Sequence, residues 1–464
     1  MPNDLERSEG EARGNEASPP QRSVEESARP VELSEQSIAR AHSAMIPYPE
    51  EGDGVVLLVG GIPSPAGSLD GVIEAPPPPP IIKLNFNTGK ATTVQFNPTF
   101  NNHLAHHTLS RYGANRACLL GNFIANRWVV LILEPGKKKI MRMLPNFQGI
   151  ESLPLNLHCH TTVYFTETTE GKISEHRLYV FGGCAGQREG DPSVETNALY
   201  CLDLNRQIWR KIPQDSNRTP TPRAYHAAAM VNNEWMYIFG GGGPSEQLNA
   251  SGTQMETTFG DMWRFNIQQE TWEKVSTTGN APSPRGYLAM HAKGSHIFLY
   301  GGYSSGKMLY DLYCLNTNTH VWTCLKKQPE TPEEIAQEQG QPSWGTAHCL
   351  INGIWHIATG MTGWESPDPQ QPPQYHATAS YRSFNLNALL QPKSEHEKTH
   401  NKTDERASDV EEAKKRERSD SPPVGQPASL GLRTEGFFSV AGQRANDQSA
   451  AGFSSSRNRS PSSS

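Results

Sequence analysis

The chain has 16 histidines, and several sit close enough to raise the question of metal chemistry. His103, His106 and His107 are clustered, and His158 and His160 are two positions apart. Imidazoles at such spacings are the usual raw material of a zinc or copper site. Their recurrence argues for another role. His107 stands 14 residues before Gly121 and His226 stands 14 before Gly240, while His160 and His42 fall into the same place once longer hairpin loops are allowed. A histidine that returns with a repeat belongs to the repeat, so no metal site is assigned and no cofactor is expected. Gly240 to Gly243 is a glycine run, but it ends an apolar stretch and no phosphate-binding helix follows it. The chain contains no nucleophile elbow, P-loop or dinucleotide fingerprint, and it reads as a non-enzyme. Binding chemistry is better represented. Arg188, Glu189, Arg218, Tyr303, Trp344 and Trp364 lie in or beside connections where no repeat demands them, and Arg, Tyr and Trp combine apolar area with directional polar groups at interfaces. These six are the candidate partner-binding residues.

The elements that must position them are repetitive. RLYVFGG (Arg177 to Gly183) is followed after a loop by ALYCLDLNRQIW (Ala198 to Trp209). EWMYIFGG with DMWRFNIQQETW, and HIFLYGG with DLYCLNTNTHVW, repeat that grammar. In each copy an aromatic residue precedes a tryptophan by nine positions: Tyr200 and Trp209, Trp263 and Trp272, Tyr313 and Trp322. A self-similar period of this kind marks a propeller or a solenoid.

This grammar resembles the kelch repeat. The resemblance spans roughly Pro30 to Leu390 and is sharpest in blades three to five. It implies an all-β, six-bladed β-propeller in which each blade is a four-stranded antiparallel sheet. The first glycine or its substitute falls at 60, 121, 182, 240, 301 and 359, at steps of 61, 61, 58, 61 and 58, and six even steps fit six blades. Gly121-Asn122 and Thr359-Gly360 stand where a Gly-Gly pair is expected. WVVLILEPGKKKIMRML (Trp128 to Leu144) reads as a hairpin around Pro135-Gly136, and Asn352-Gly353 as a two-residue hairpin turn. The glycines are expected to let the chain turn sharply and to admit close packing of large aromatics, and the paired aromatics to fill the space between blades. TPEEIAQEQG should form a short helix projecting from the rim, with a Thr331/Glu334 capping box, Pro332 at its first position and Gly340 at its end.

Composition bounds the remainder. Only 35% of residues are hydrophobic and the net charge is −6, which gives no reason to expect nucleic acid as a partner. No apolar run is long enough to span a membrane. Residues 1–29 and 392–464 are polar, charged and Ser/Pro-rich, and are expected to be disordered tails around a propeller of residues 30–391. Within the second tail, Asp404 to Arg418 could form a transient helix and Lys414 to Arg418 is a candidate nuclear localisation signal. Pro76 to Pro80 reads as a polyproline spacer. The N-terminus lacks a signal-peptide pattern, and seven cysteines without framework spacing suit an intracellular, cytoplasmic protein. Blade six has three evident strands, so Val31 to Leu33 is expected to complete it from outside and tie the chain ends together.

The kelch resemblance implies a protein-interaction module, a scaffold or adaptor that binds a protein or peptide partner on the face bearing the long loops. A second reading is a ubiquitin-ligase substrate receptor, which would call for a C-terminal Ser-Leu-x3-Cys box; Ser429-Leu430 starts one, but Thr434 stands in the cysteine's place. A third is a metalloenzyme. Galactose oxidase, a related propeller, needs a Cys–Tyr crosslink, a further Tyr and two His, and nothing here identifies that set. Nitrile-specifier proteins use Glu-x3-Asp-x3-His, and Glu256 to Asp261 has another spacing and no following His.

Overall fold

The computed structural model describes residues 40–48, 52–63, 81–94, 107–112, 116–124, 127–133, 141–143, 147–149, 155–169, 171–186, 194–248, 254–338, 341–364 and 374–391. The expectations placed on both tails, Val31 to Leu33, Pro76 to Pro80, Pro135-Gly136, Arg188, Glu189, Gly340 and Ser429-Leu430 fall outside these residues.

Six antiparallel sheets follow one another along the chain. Blade one pairs Ala44–Pro47, Val55–Val59, Ile81–Asn85 and Lys90–Thr93 in that order. Blade two is Thr108–Arg111, Ala117–Ile124, Arg127–Leu133 and Met141–Met143. Blade three is Thr161–Thr169, Lys172–Phe181, Leu199–Asp203 and Ile208–Ile212, and blade four is Ala227–Val231, Trp235–Phe239, Met262–Asn266 and Thr271–Val275. Blade five is Ala289–Lys293, His296–Ser304, Lys307–Asn316 and Val321–Lys326, with Thr278–Gly279 added in parallel to the last. Blade six has three strands among the described residues, Ala347–Ile351, Ile354–Trp364 and Gln374–Asn385. The first strand of each blade touches the first strands of the blades before and after it, and blade six's touches blade one's. The inner strands therefore close a six-membered ring.

The core lies between the blades, and the two-residue period of a strand explains it. Val55–Val59 is buried throughout. Val55, Leu57 and Val59 face blade two and pack with Ala117 and Leu119. Val56 and Leu58 face the other way and pack with Ala347, Cys349, Ala358 and Tyr381 of blade six. Phe86 of blade one stacks on Tyr381 at 4.5 Å and on His356 at 4.8 Å across the closing interface. Corresponding clusters join blades two and three, three and four, four and five, and five and six. Trp209, Trp272 and Trp322 are buried in three of them: Trp272 meets Phe181 of blade three at 4.8 Å and Trp322 meets Phe239 of blade four at 5.8 Å.

The glycine pairs turn the chain sharply, as expected, and what they make room for is mainly backbone. Gly182, Gly240 and Gly301 all take positive φ, and a Cβ on them would lie 2.7 Å from the Arg223 carbonyl oxygen, 2.3 Å from Arg285's and 2.4 Å from Ser343's. Gly240 and Gly301 make room for the backbone leading into the next blade, and Gly182 makes room both for that backbone and for the His226 ring, whose Cε1 is also 2.7 Å away. At the sixth position Thr359 holds the same conformation at φ 56°, and its hydroxyl hydrogen-bonds Ser43 of blade one at 3.0 Å.

Turns on the opposite face follow a second rule. Asn85, Asp203, Asn266 and Asn316 end the third strands of blades one, three, four and five, and each side-chain oxygen accepts the backbone N–H groups two and three residues on. In blade six Asn385 makes the same two bonds but caps the helix Leu386–Leu389. Asn352 (φ 49°) and Gly353 (φ 83°) form the expected hairpin turn.

The helical insert is present as Pro332–Glu338. Thr331 Oγ1 accepts the Glu334 N–H and Glu334 Oε2 accepts the Thr331 N–H, both at 3.2 Å, which is the expected capping box. It does not simply project. Glu338 at its end is buried and paired with Lys326 of blade five and, at 2.6 Å, with Arg382 of blade six. A cation from each blade draws the carboxylate inward and pins the helix end to the rim. No helix among the described residues is long and apolar enough to cross a membrane.

Candidate functional site: the long-loop face

In every blade, the strand order puts the end of strand two, the start of strand three and the described lead-ins to the blades on one face. Several of the described connections are ribbons rather than open loops. Gly242–Leu248 pairs with Gln254–Thr258. Blade five's middle strands continue through Tyr303↔Met308 and Ser304↔Lys307. In blade six the third strand begins at Gln374, well before Tyr381, and Met361 to Trp364 pair with Ala377 to Gln374.

The chain leading into each blade anchors these ribbons. Ala41 pairs with Ile62, His158 with Cys184, Ala224 with Gly242, Gly286 with Tyr303 and Trp344 with Met361. These are one position repeated in five blades. Just after it, His42, Cys159, Tyr225, Tyr287 and Gly345 take φ values of 56°, 56°, 58°, 59° and 61°. A positive φ is costly for a side-chain-bearing residue, and a belt of backbone bonds accompanies it. The Tyr225 N–H donates to Cys159, Tyr287 to Tyr225, Gly345 to Tyr287 and His42 to Gly345, at 2.8–3.2 Å. This belt links five blades around the end of the central channel.

His42 is therefore equivalent to Tyr225 rather than to His226, correcting the sequence alignment of the repeats by one residue. Ser43 holds the place of His226. His226 and His160 each tie their blade to the one before. His226 Nε2 meets Thr161 Oγ1 of blade three at 2.7 Å, and His160 Nε2 meets Thr108 Oγ1 of blade two at 3.4 Å. Burial, with neighbouring His158 and His107, lowers the His160 pKa to about 3, and burial beside Arg223 and His160 lowers that of His226 well below the usual histidine value. Both imidazoles are neutral. Below the belt, Arg223 and Arg285 are fully buried and paired with Asp261 and Asp311. Each also donates to the first glycine carbonyl of its blade at 3.1 Å.

Above the belt sits a cluster of half-buried rings. Tyr225 stacks on Tyr287 at 4.1 Å, Trp344 meets Tyr287 edge-on at 4.9 Å, and Tyr303 lies 5.6 Å from Trp344. His42 is 5.7 Å from Tyr287 and 5.9 Å from Trp344. Burial raises the pKa of both tyrosines above the usual phenol range, so both hydroxyls stay protonated. Beneath them the channel holds a cavity of about 280 Å³ whose lining includes Tyr225, Tyr287, His226 and Thr346.

Of the sequence-derived candidates, Tyr303 and Trp344 come together in this cluster. Arg218 lies on the link between blades three and four, its side chain 82% exposed and 3.9 Å from Asp215. Trp364 ends its strand with its backbone opposite Gln374; its side chain lies outside the description, as do Arg188 and Glu189. Sequence reasoning missed Tyr225, Tyr287 and His42. A signal existed for two of them: Pro222-Arg223-Ala224-Tyr225 and Pro284-Arg285-Gly286-Tyr287 place a tyrosine two residues after the recurrent arginine.

Residues 151–340 match the KLHDC2/KLHL20/DRC7 kelch-repeats domain. These residues carry kelch repeats. The matched span covers blades three to five, where the repeat is sharpest. The chain is 28% identical over 179 residues to the mouse (Mus musculus) Rab9 effector protein with kelch motifs, covering 36% of this chain and 42% of that one. It is 26% identical over 257 residues to human (Homo sapiens) host cell factor 2, covering 49% and 30%. It is also 29% identical over 171 residues to the flagellar outer-arm dynein alpha chain of Chlamydomonas reinhardtii, covering 36% and 3%. The chain spans less than half the length of each of these relatives.

Proposed function

We propose that this kelch-repeat propeller is a protein-interaction module, a scaffold or adaptor, that holds a protein or peptide partner on its long-loop face. The observation that carries the reading is the half-buried cluster of Tyr225, Tyr287, Tyr303, Trp344 and His42 on that face. Aromatic residues on a rigid frame supply binding energy at low entropic cost. The mouse relative is named as a Rab9 effector, and that name supports a protein as the class of partner. A binding role rather than catalysis agrees with the use of His160 and His226 as inter-blade ties. We place the protein in the cytoplasm, which fractionation would test.

The test is affinity capture with the full chain. Arg188→Ala combined with Trp364→Ala should abolish capture and leave the melting temperature nearly unchanged. Normal capture by the double variant, with capture lost on removing residues 392–464, would move the interaction to the tail and contradict the reading.

A further inference from the structure

Blades three, four and five end alike but differ at their outer edges. The turns before their fourth strands place Gln207, Glu270 and His320 at φ 59°, 53° and 57°. Trp209, Trp272 and Trp322 then stand in one register, opposite Leu202, Phe265 and Leu315. The same backbone groups therefore point outward in all three blades. In blade three the link from blade two covers them: the Gln148 N–H donates to the Gln207 carbonyl at 3.0 Å, and the Trp209 N–H donates to the Gln148 carbonyl at 2.8 Å. In blade five the link from blade four does the same in parallel. There the Thr278 N–H donates to the His320 carbonyl at 3.0 Å and the Asn280 N–H to the Trp322 carbonyl at 3.1 Å. Each cover carries a glycine, Gly149 at φ 75° or Gly279 at φ 81°, and a Cβ on either would collide with the tryptophan carbonyl oxygen.

Blade four has no such cover among the described residues. Thr271–Val275 is the last strand of its sheet, and no described backbone group bonds the Glu270 carbonyl or the outward groups of Trp272. The link from blade three, residues 213–222, contains no glycine. It cannot pass over the Trp272 carbonyl as Gly149 and Gly279 pass over theirs. It folds back instead: Asp215 Oδ1 accepts the Asn217 N–H at 2.9 Å, and the Asp215 carbonyl accepts the Arg218 N–H at 3.0 Å.

We propose that this edge is a second docking site, on the outer rim rather than the long-loop face, and that it takes an extended, glycine-bearing segment of a second partner protein. The segment lies parallel to Thr271–Val275. The residue before its glycine donates to the Glu270 carbonyl and accepts the Trp272 N–H, and the residue after it donates to the Trp272 carbonyl. A bare sheet edge is a template for strand addition, and the molecule seats the fitting occupant twice from its own chain. The bonding residues of those occupants, Gln148, Thr278 and Asn280, are uncharged. The carboxylates beside the blade-four edge are already matched, Glu270 by Arg210 and Glu273 by Arg264. Recognition therefore falls to the backbone and the glycine: a side chain there meets the Trp272 carbonyl and adds the cost of a positive φ.

The probe is a synthetic peptide copying residues 275–282, which include Thr278, Gly279 and Asn280, titrated into the full chain while amide hydrogen exchange is followed by NMR. In the free chain the Trp272 amide should exchange fast and the Trp209 amide, bonded to Gln148, slowly. The peptide should slow exchange at Trp272. Its Gly279→Ala version should bind about tenfold more weakly, as a side chain forced to positive φ implies. A Trp272 amide already slow in the free chain would mean that the chain covers its own edge. Protection that rises with protein concentration alone would assign the edge to a second copy. Either result overturns the proposal, as do equal binding of the two peptides, failure of both, or binding with no change at Trp272. The peptide does not probe the long-loop face, so these outcomes leave that reading to the Arg188→Ala/Trp364→Ala capture test.

Discussion

Trp272→Ala tests the claim that the repeat's tryptophans fasten one blade to the next. Trp272 is 6% exposed. Its ring lies 4.8 Å from Phe181 of blade three and 5.1 Å from Phe265 of its own blade. Its indole N–H donates to Gln214 Oε1 on the blade three–four link at 2.9 Å. Truncation removes roughly 150–250 Å² of buried aromatic surface, about 4–6 kcal/mol at ~25 cal/mol per Å². The denatured chain already buries part of that area, which lowers the figure. Observed Trp→Ala losses in cores, about 3–5 kcal/mol, agree, and about 1 kcal/mol of the loss belongs to the Gln214 bond. Urea unfolding followed by circular dichroism, fitted for wild type, Trp272→Ala and Trp272→Phe, measures it. Phe should recover most of the packing but not the hydrogen bond. A loss below about 1 kcal/mol for the alanine variant would refute the interfacial role.

Three further outcomes follow from the same geometry. Asp311→Ala should destabilise by about 3–5 kcal/mol, because it leaves the fully buried Arg285 charge unpaired, whereas Arg218→Ala, at an 82% exposed side chain, should change unfolding midpoints by less than about 0.5 kcal/mol. Stability should also fall as pH drops from 7.5 to 5.5. Burial lowers His160 to about 3 and His356 to about 4, from an unfolded value of 6.5. The unfolded chain therefore binds more protons in that window, and each such histidine withdraws on the order of 1 kcal/mol by pH 5.5. Asp261 and Glu270, held below their ordinary values by Arg223 and Arg210 against the opposing effect of burial, act only at lower pH, so a flat midpoint between pH 7.5 and 5.5 would contradict the neutral-histidine assignment.

The scaffold was legible because its determinants are local. The nine-residue offset that ends in Trp209, Trp272 and Trp322 reports strand length and turn length in one number, and those three residues are buried where the offset puts them. The capping box around Thr331 is equally local. Blade six was harder to read, because Thr359 does a glycine's work and is held by Ser43, 316 residues away in sequence. The binding face depends on such distant pairings. Gly286 meets Tyr303 and Trp344 meets Met361, and only those bridges bring Tyr303, Trp344 and Tyr287 into one cluster. The misplacement of His42 has the same origin: blade one separates Ser43 from Gly60 by 17 residues where blade four separates His226 from Gly240 by 14, and only the φ values show which residue bears the belt.

The central claim is that one face of the ring does the binding, and hydrogen exchange of the full chain with and without a captured partner tests it most directly. The account predicts slowed exchange at Gly242–Leu248, Gln254–Thr258, Tyr303 and Met361–Trp364, with no change at the turns 232–234, 267–270 and 317–320 on the opposite face. Protection confined to those turns, or to residues 392–464, would contradict it.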